Sequence, residues 1–139
     1  MKKINVTITG CLGRMGKQLI KSIKKTKKFK LISVTENRMI NKKIFGLKTQ
    51  LNSINAFKNT NVIIDFTVPK ATLEVLKIAS KLKKRVVIGT TGFSKIEEKL
   101  IKKYSRQIPI LKAGNMSLGV NLLVYLTEIA SKSLGNNFL

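Results

Sequence analysis

Histidine is absent from the 139 residues, and cysteine occurs once, as Cys11. A lone thiol can form no intrachain disulfide, and without imidazoles a zinc or haem site has almost nothing to be built from, so no metal is expected. Long apolar runs are missing too. No stretch of roughly 18 apolar residues is present, and the opening MKKINVTITG alternates like a strand instead of forming a signal peptide's apolar core. The chain is therefore expected to be cytoplasmic, with no membrane partner. Acidic residues are scarce: 6 Asp+Glu stand against 28 Lys+Arg, for a net charge of +22. Such an excess raises the question of nucleic acid. The lysines, however, are scattered over the expected helix surfaces (Lys17, Lys21, Lys24; Lys77, Lys81; Lys95, Lys99, Lys102) and form no groove-reading element. A solvated surface accounts for them, and no nucleic-acid partner is expected. The charge still attracts phosphorylated cofactors and dicarboxylates through long-range steering that weakens with salt.

What is present alternates between two periodicities. Ile4, Val6 and Ile8 alternate with Asn5, Thr7 and Thr9, a period-two strand ending at Gly10. Met15, Leu19 and Ile23 then recur at four-residue spacing and predict a helix over Arg14 to Lys25, followed by a strand over Phe29 to Thr35. This is a βαβ unit, whose crossover is right-handed and whose strands lie parallel. Residues 37–61 are polar, with one short element expected near Ile54–Lys58. Val62–Phe66 is a nearly continuous apolar run interrupted by Asp65, as in a buried parallel strand. Pro69 suits the first turn of a helix that turns Leu73, Leu76, Ala79 and Leu82 inward. Arg85–Ile88 is the next strand, Ser94-Lys95-Ile96-Glu97 reads as a capping box for a helix reaching about Tyr104, and Ile108–Leu111 is a further short strand. Ser117 caps a final helix to Leu134 that is expected to be mostly buried. Alternating strands and helices predict an α/β fold, a doubly wound parallel sheet in a single domain, with ligands at the carboxyl ends of its strands.

Chemistry concentrates at those ends. Gly10, Gly13 and Gly16 form a glycine turn between strand and helix, where a tight bend, close backbone approach and close helix packing each favour glycine, and where the helix amino terminus offers free N–H groups to a pyrophosphate. The spacing Gly-x-x-Gly-x-x-Gly departs from Gly-x-Gly-x-x-Gly, and a sharp unoccupied turn would also explain it. Glu36, twenty positions after Gly16 at the end of the second strand, is placed to bind the adenosine ribose hydroxyls. A guanidinium at Arg38, beyond Asn37, could take a 2′-phosphate, so NADH and NADPH are both open. Asp65-Phe66-Thr67 and Gly89-Thr90-Thr91-Gly92 end the next two strands, and their small hydroxyl side chains could line the nicotinamide. Asp65 is expected to be structural, accepting backbone amides.

Four motifs, Gly13-Arg14-Met15-Gly16, Asp65-Phe66-Thr67 with Pro69, Val87-Ile88-Gly89-Thr90-Thr91-Gly92-Phe93, and Gly114-Asn115-Met116-Ser117-Leu118-Gly119-Val120-Asn121, occur in one order and spacing. In these the chain resembles 4-hydroxy-tetrahydrodipicolinate reductase (dihydrodipicolinate reductase), a family of lysine and diaminopimelate biosynthesis, across essentially its whole length. The resemblance implies an amino-terminal Rossmann domain binding NADH or NADPH, a second domain binding a cyclic dicarboxylate substrate, a homotetramer, and hydride transfer to a cyclic imine acid. Carried over by position, Gly10, Cys11, Leu12, Gly13, Arg14 and Met15 form the pyrophosphate loop. Glu36 becomes the ribose ligand, with Asn37 and Arg38 beside it. Thr67, Gly89, Thr90, Thr91 and Ala113, Gly114, Asn115, Met116 meet the rest of the cofactor, and Thr91 also approaches the substrate. Asn37 stands where many members have arginine, which bears on NADPH use.

The family's catalytic segment, a His-His pair with a following lysine and Asp-Ala-Pro-Ser-Gly-Thr, has no counterpart here, so this chain is expected to contain no catalytic residue. Residues 1–134 are read as the dinucleotide-binding domain and 135–139 as the start of a connection to an absent substrate domain. The expectation is the cofactor-binding part of a reductase, inactive by itself; the alternative is a non-catalytic dinucleotide-binding module from a truncated gene.

Overall fold

The computed structural model describes residues 3–38 and 41–135; most of the expected connection at 135–139 lies outside the described residues. Its elements in chain order are β1 (Ile4–Thr9), α1 (Arg14–Lys25), β2 (Phe29–Glu36), β3 (Lys43–Ile44), β4 (Leu47–Lys48), β5 (Gln50–Leu51), α2 (Ile54–Phe57), β6 (Val62–Asp65), α3 (Pro69–Lys81), β7 (Arg85–Ile88), α4 (Lys95–Ser105), β8 (Ile110–Lys112) and α5 (Leu118–Leu134). No helix among the described residues is long and apolar enough to cross a membrane.

Six strands form one sheet in the order β5-β2-β1-β6-β7-β8, and every pairing in it is parallel. With the small β3–β4 hairpin set aside, this is the doubly wound order in which the chain works outward from the centre in one direction and then in the other. The reversal falls between β1 and β6, which pair directly from Val6↔Val62 to Thr9↔Asp65.

Period-two alternation sends the two sets of side chains to opposite faces. Val6 and Ile8 of β1 join Val34 of β2 and Ile20 and Ile23 of α1 in one core cluster. Ile63, Val86 and Ile88 from β6 and β7 join Val75, Leu76 and Ala79 of α3, Ile101 of α4 and Phe57 of α2 in the other. Thr7 and Thr9 share the register of Ile63 and Asp65 and so face the α3 side. That places polar groups inside the sheet's second layer, where they need partners.

Most expected elements form where the periodicity put them, and the capping box at Ser94 is complete, with Glu97 N–H donating to the serine hydroxyl and Ser94 N–H to the glutamate carboxylate. Four details differ. Residues 37–61, expected to carry one short element, hold β3, β4 and β5 as well as α2, and β5 adds an edge strand through its pairing with Thr35 and Glu36. The inward stripe of α1 is Gly16, Ile20 and Ile23, with Met15 exposed, because the helix docks through the glycine and rotates the stripe by one position. The strand expected over Ile108–Leu111 runs from Ile110 to Lys112, since β8 pairs Val86 with Ile110 and Ile88 with Lys112. Finally, α5 has no buried residue, contrary to expectation: Leu118 is 85 % exposed and Leu123 63 %. Apolar periodicity reports which helix face prefers burial, and among the described residues nothing covers this one.

Candidate functional site

At the reversal between β1 and β6, two chain segments leave the sheet in opposite directions and open a crevice at the strand ends, the usual ligand position in such sheets. Gly10 occupies it first. Its φ is +64°, and a methyl group there would lie 2.7 Å from Thr67 Cγ2, so the turn after β1 and the loop after β6 meet at a distance that only glycine allows. Gly16 serves a different purpose: a Cβ would come within 2.2 Å of the Gly10 carbonyl oxygen, so α1 can press on the turn only without a side chain.

The turn's amides are largely committed. Cys11 N–H donates to the Thr35 carbonyl at 3.2 Å, Leu12 N–H to Glu36 Oε1 at 2.6 Å, and Gly13 N–H to the Gly10 carbonyl at 3.0 Å. Gly13 is the N-cap of α1 without a side-chain cap, and the first turn holds no acid while Lys24 and Lys25 occupy the last. The leading amides of Arg14 and Met15, with the positive end of the helix dipole, therefore remain for an anion.

Glu36 ends β2 half-buried, and its bond to Leu12 joins the acidic residue to the glycine turn across 24 positions of sequence. Both line a cleft of about 230 Å³ bounded by Gly10, Gly13, Glu36, Asn37, Asn52, Phe66, Thr67, Val68 and Ala71. Arg38 is exposed outside this lining. Cys11 points the other way, into the core beside Ile20 and Val34. Burial pushes its thiol up to about 12, helped by the neighbouring Glu36 charge. Only its backbone belongs to the turn.

Asp65 does not accept backbone amides as expected; its carboxylate receives four threonine hydroxyls. Thr9 and Thr67 donate to Oδ1 at 2.5 and 2.8 Å, and Thr72 and Thr90 to Oδ2 at 2.5 and 2.9 Å. The Thr90 side chain, expected toward the nicotinamide, is thus turned inward and is 3 % exposed. Its backbone and Gly89 remain at the strand end, where Gly89 N–H donates to the Asp65 carbonyl at 2.8 Å and Phe66 lies so close that a Cβ on Gly89 would fall 2.1 Å from the ring.

Thr91 is exposed at the same edge. Ala113 is tied to it by an N–H bond to the Ile88 carbonyl at 3.2 Å, whereas Gly114, Asn115 and Met116 continue outward and are exposed, with Asn115 Oδ1 accepting Ser117 N–H. The structure therefore brings Gly10, Gly13, Glu36, Asn37 and Thr67 around one cleft and leaves Arg38 and the Asn115 segment apart from it. Asn52, Val68 and Ala71 also line the cleft without having been marked in the sequence, and Phe66 lines it from within the Asp65-Phe66-Thr67 motif, where only the hydroxyl residue was given a ligand role. Asn52 sits in a patternless stretch and is placed by accepting the Thr35 hydroxyl at 2.6 Å.

Strand order, glycine turn and acidic residue together define a Rossmann-type α/β domain with a crevice at its topological switch point. The chain belongs to the dihydrodipicolinate reductase family: residues 4–116 match the family model described as "Dihydrodipicolinate reductase, N-terminus". It is 70 % identical over 139 residues to a 4-hydroxy-tetrahydrodipicolinate reductase of Pelagibacter ubique, covering 100 % of this chain and 54 % of the relative. It is 42 % identical over 148 residues to the protein of that name from Buchnera aphidicola subsp. Acyrthosiphon pisum, covering 98 % and 55 %. The chain thus spans about half the length of the curated relatives it matches. Among solved structures, the dipicolinate-bound dihydrodipicolinate reductase from Paenisporosarcina sp. TG-14 superposes with a TM-score of 0.73 at 20 % identity, over 93 % of this chain and 54 % of that one. At that identity the likeness shows the fold.

Proposed function

We propose that this chain is the nicotinamide-dinucleotide-binding part of a 4-hydroxy-tetrahydrodipicolinate reductase acting in lysine and diaminopimelate biosynthesis in the cytoplasm. The observation that carries this reading is the meeting of Glu36 with the glycine turn at the switch-point cleft. The amides of Arg14 and Met15 bind the pyrophosphate, with Gly10 and Gly13 keeping the approach clear. Glu36 and Asn37 hold the adenosine ribose, and Thr67, Gly89, Thr90, Thr91 and Ala113 to Met116 border the remainder. Ligand pockets usually measure ~300–1,000 Å³. The cleft of about 230 Å³ suits one portion of the dinucleotide, the rest extending along the strand ends. When bound, NADH or NADPH supplies the hydride.

The family name of the relatives supports a cyclic dicarboxylate substrate, with Thr91 as the contact carried over, and the resemblance supports a homotetramer for the full-length enzyme. The 139-residue chain alone binds dinucleotide without appreciable turnover, because it has no histidine to deliver a proton. Calorimetry with NADH and NADPH tests the binding claim: failure of both to bind folded protein, with Glu36→Ala no different, sinks it. A coupled reductase assay on the same chain tests the second; normal activity would overturn it.

A further inference from the structure

Asp65 is wholly buried, yet no cation pairs with it among the described residues; four hydroxyls surround it instead. They come from four places: Thr9 at the end of β1, Thr67 in the loop after β6, Thr72 in α3 and Thr90 after β7. Thr67 N–H donates to Thr90 Oγ1 at 2.8 Å and closes the ring. A carboxylate can only accept, so all four hydroxyls must donate inward. Thr90 then has its lone pairs left for Thr67 N–H, and the Thr67 backbone is held where its methyl group touches the Gly10 position.

We propose that Asp65 is a positioning residue for dinucleotide binding: through Thr9, Thr67 and Thr90 it sets the spacing between the glycine turn, the Thr67 wall of the cleft and the Gly89–Thr90 strand end. This rests on the dinucleotide reading above. The charge matters because it dictates hydroxyl direction. In Asp65→Asn, one carboxylate oxygen becomes an NH₂ donor, and the hydroxyls facing it must turn round. On the Oδ2 side Thr90 has no second acceptor. On the Oδ1 side Thr9 and Thr67 can fall back on the Ile64 and Val68 carbonyls, both 3.5 Å away. The amide therefore settles toward Oδ1, the fold survives, and Thr67 exchanges its bond to a charged oxygen for a reversed one from the amide, its hydroxyl hydrogen going to the distant Val68 carbonyl. The cleft wall is what moves.

The test uses the full 139-residue chain, with NADH and NADPH titrated by calorimetry and nucleotide fluorescence beside thermal unfolding. Asp65→Asn and Thr90→Val should weaken binding about tenfold or more at temperatures where circular dichroism shows them folded, as expected for loss of hydrogen bonds to a charged group. The Thr90 hydroxyl is buried between Asp65 and Thr67, so a change confined to the side chain acts through them, and Thr90→Ser should recover most of the loss. Thr7→Val breaks a different buried hydroxyl contact, with Thr60, and should lower the melting temperature while affinity stays within about twofold. Folded Asp65→Asn and Thr90→Val that bind like the parent overturn the proposal, as does an equal loss of affinity in Thr7→Val. Should Asp65→Asn fail to fold, Thr90→Val and Thr90→Ser decide it. A parent chain that binds neither dinucleotide removes the underlying reading, and the proposal with it.

Discussion

Glu36 accepts the Leu12 backbone N–H at 2.6 Å, so the acidic end of β2 is fastened to the glycine turn before any ligand arrives. One carboxylate oxygen is thereby anchored to a peptide, and the group faces the cleft with Asn37 beside it. On the dinucleotide reading proposed above, a carboxylate there would accept bonds from ribose hydroxyls and would repel a 2′-phosphate. Replacing Glu36 by alanine should weaken NADH by about tenfold or more, a charged hydrogen bond's worth. NADPH should lose less or gain, so that the affinity ratio shifts toward NADPH. Parallel calorimetric titrations read this directly, and an equal loss for both would contradict it.

The glycines of the turn should separate into two kinds. A methyl on Gly16 lies 2.2 Å from the Gly10 carbonyl oxygen, a backbone atom that cannot yield without shifting α1. Gly16→Ala should cost roughly 1–3 kcal/mol of stability, the range for overpacking, and weaken dinucleotide binding as well. On Gly13 the nearest atom is 3.3 Å away. Gly13→Ala asks the Gly10 carbonyl to give by only a few tenths of an ångström, so it should lose less stability than Gly16→Ala while losing affinity, because the methyl stands in the anion's approach. Urea unfolding and calorimetry on the two variants distinguish them.

Cys11 should be chemically silent in the folded chain. Burial first, and the Glu36 charge second, push its thiol from 9.0 up to about 12. Iodoacetamide at pH 8 should leave it unmodified until urea unfolds the protein, as followed by mass spectrometry. The linkage has a definite sign. Between about 9 and about 12 the unfolded chain has released this proton and the folded chain has kept it. Stability should therefore be full below that window and fall as pH rises through it. The measurement is the difference in pH slope between the parent and Cys11→Ala; identical slopes would refute the assignment.

The exposed faces of α5 should make the chain associate. Leu122, Leu123, Val124, Tyr125, Leu126 and Ile129 are all at least 44 % exposed, a contiguous apolar surface of a kind soluble monomers rarely show. Sedimentation at rising concentration should reveal self-association that Leu122→Gln with Leu126→Gln reduces, without altering dinucleotide affinity. A strictly monomeric parent at high concentration would count against it.

Local rules account for much of this molecule. The alternation of Ile4 to Thr9, the glycines that follow, the Pro69 start of α3 and the Ser94–Glu97 box are each written within a few residues, and each forms as expected because backbone hydrogen bonding and capping are short-range. Glu36 was legible through its distance from the turn. Asn52 was not, because nothing nearby in sequence marks a side chain whose position depends on Thr35 in a neighbouring strand.

By itself, then, the sequence determined the order of strands and helices outside residues 37–61, the glycine turn and the acid that accompanies it, along with a family resemblance carried by four short motifs. The tertiary structure decided which groups face ligand and which face protein. Thr90 and Thr67 look alike as small hydroxyl residues after strands and both donate to Asp65, yet Thr90 is buried there while Thr67 also lines the cleft. The apolar period of α5 likewise signalled a need for burial, but burial requires a second surface, which periodicity along one chain segment cannot specify.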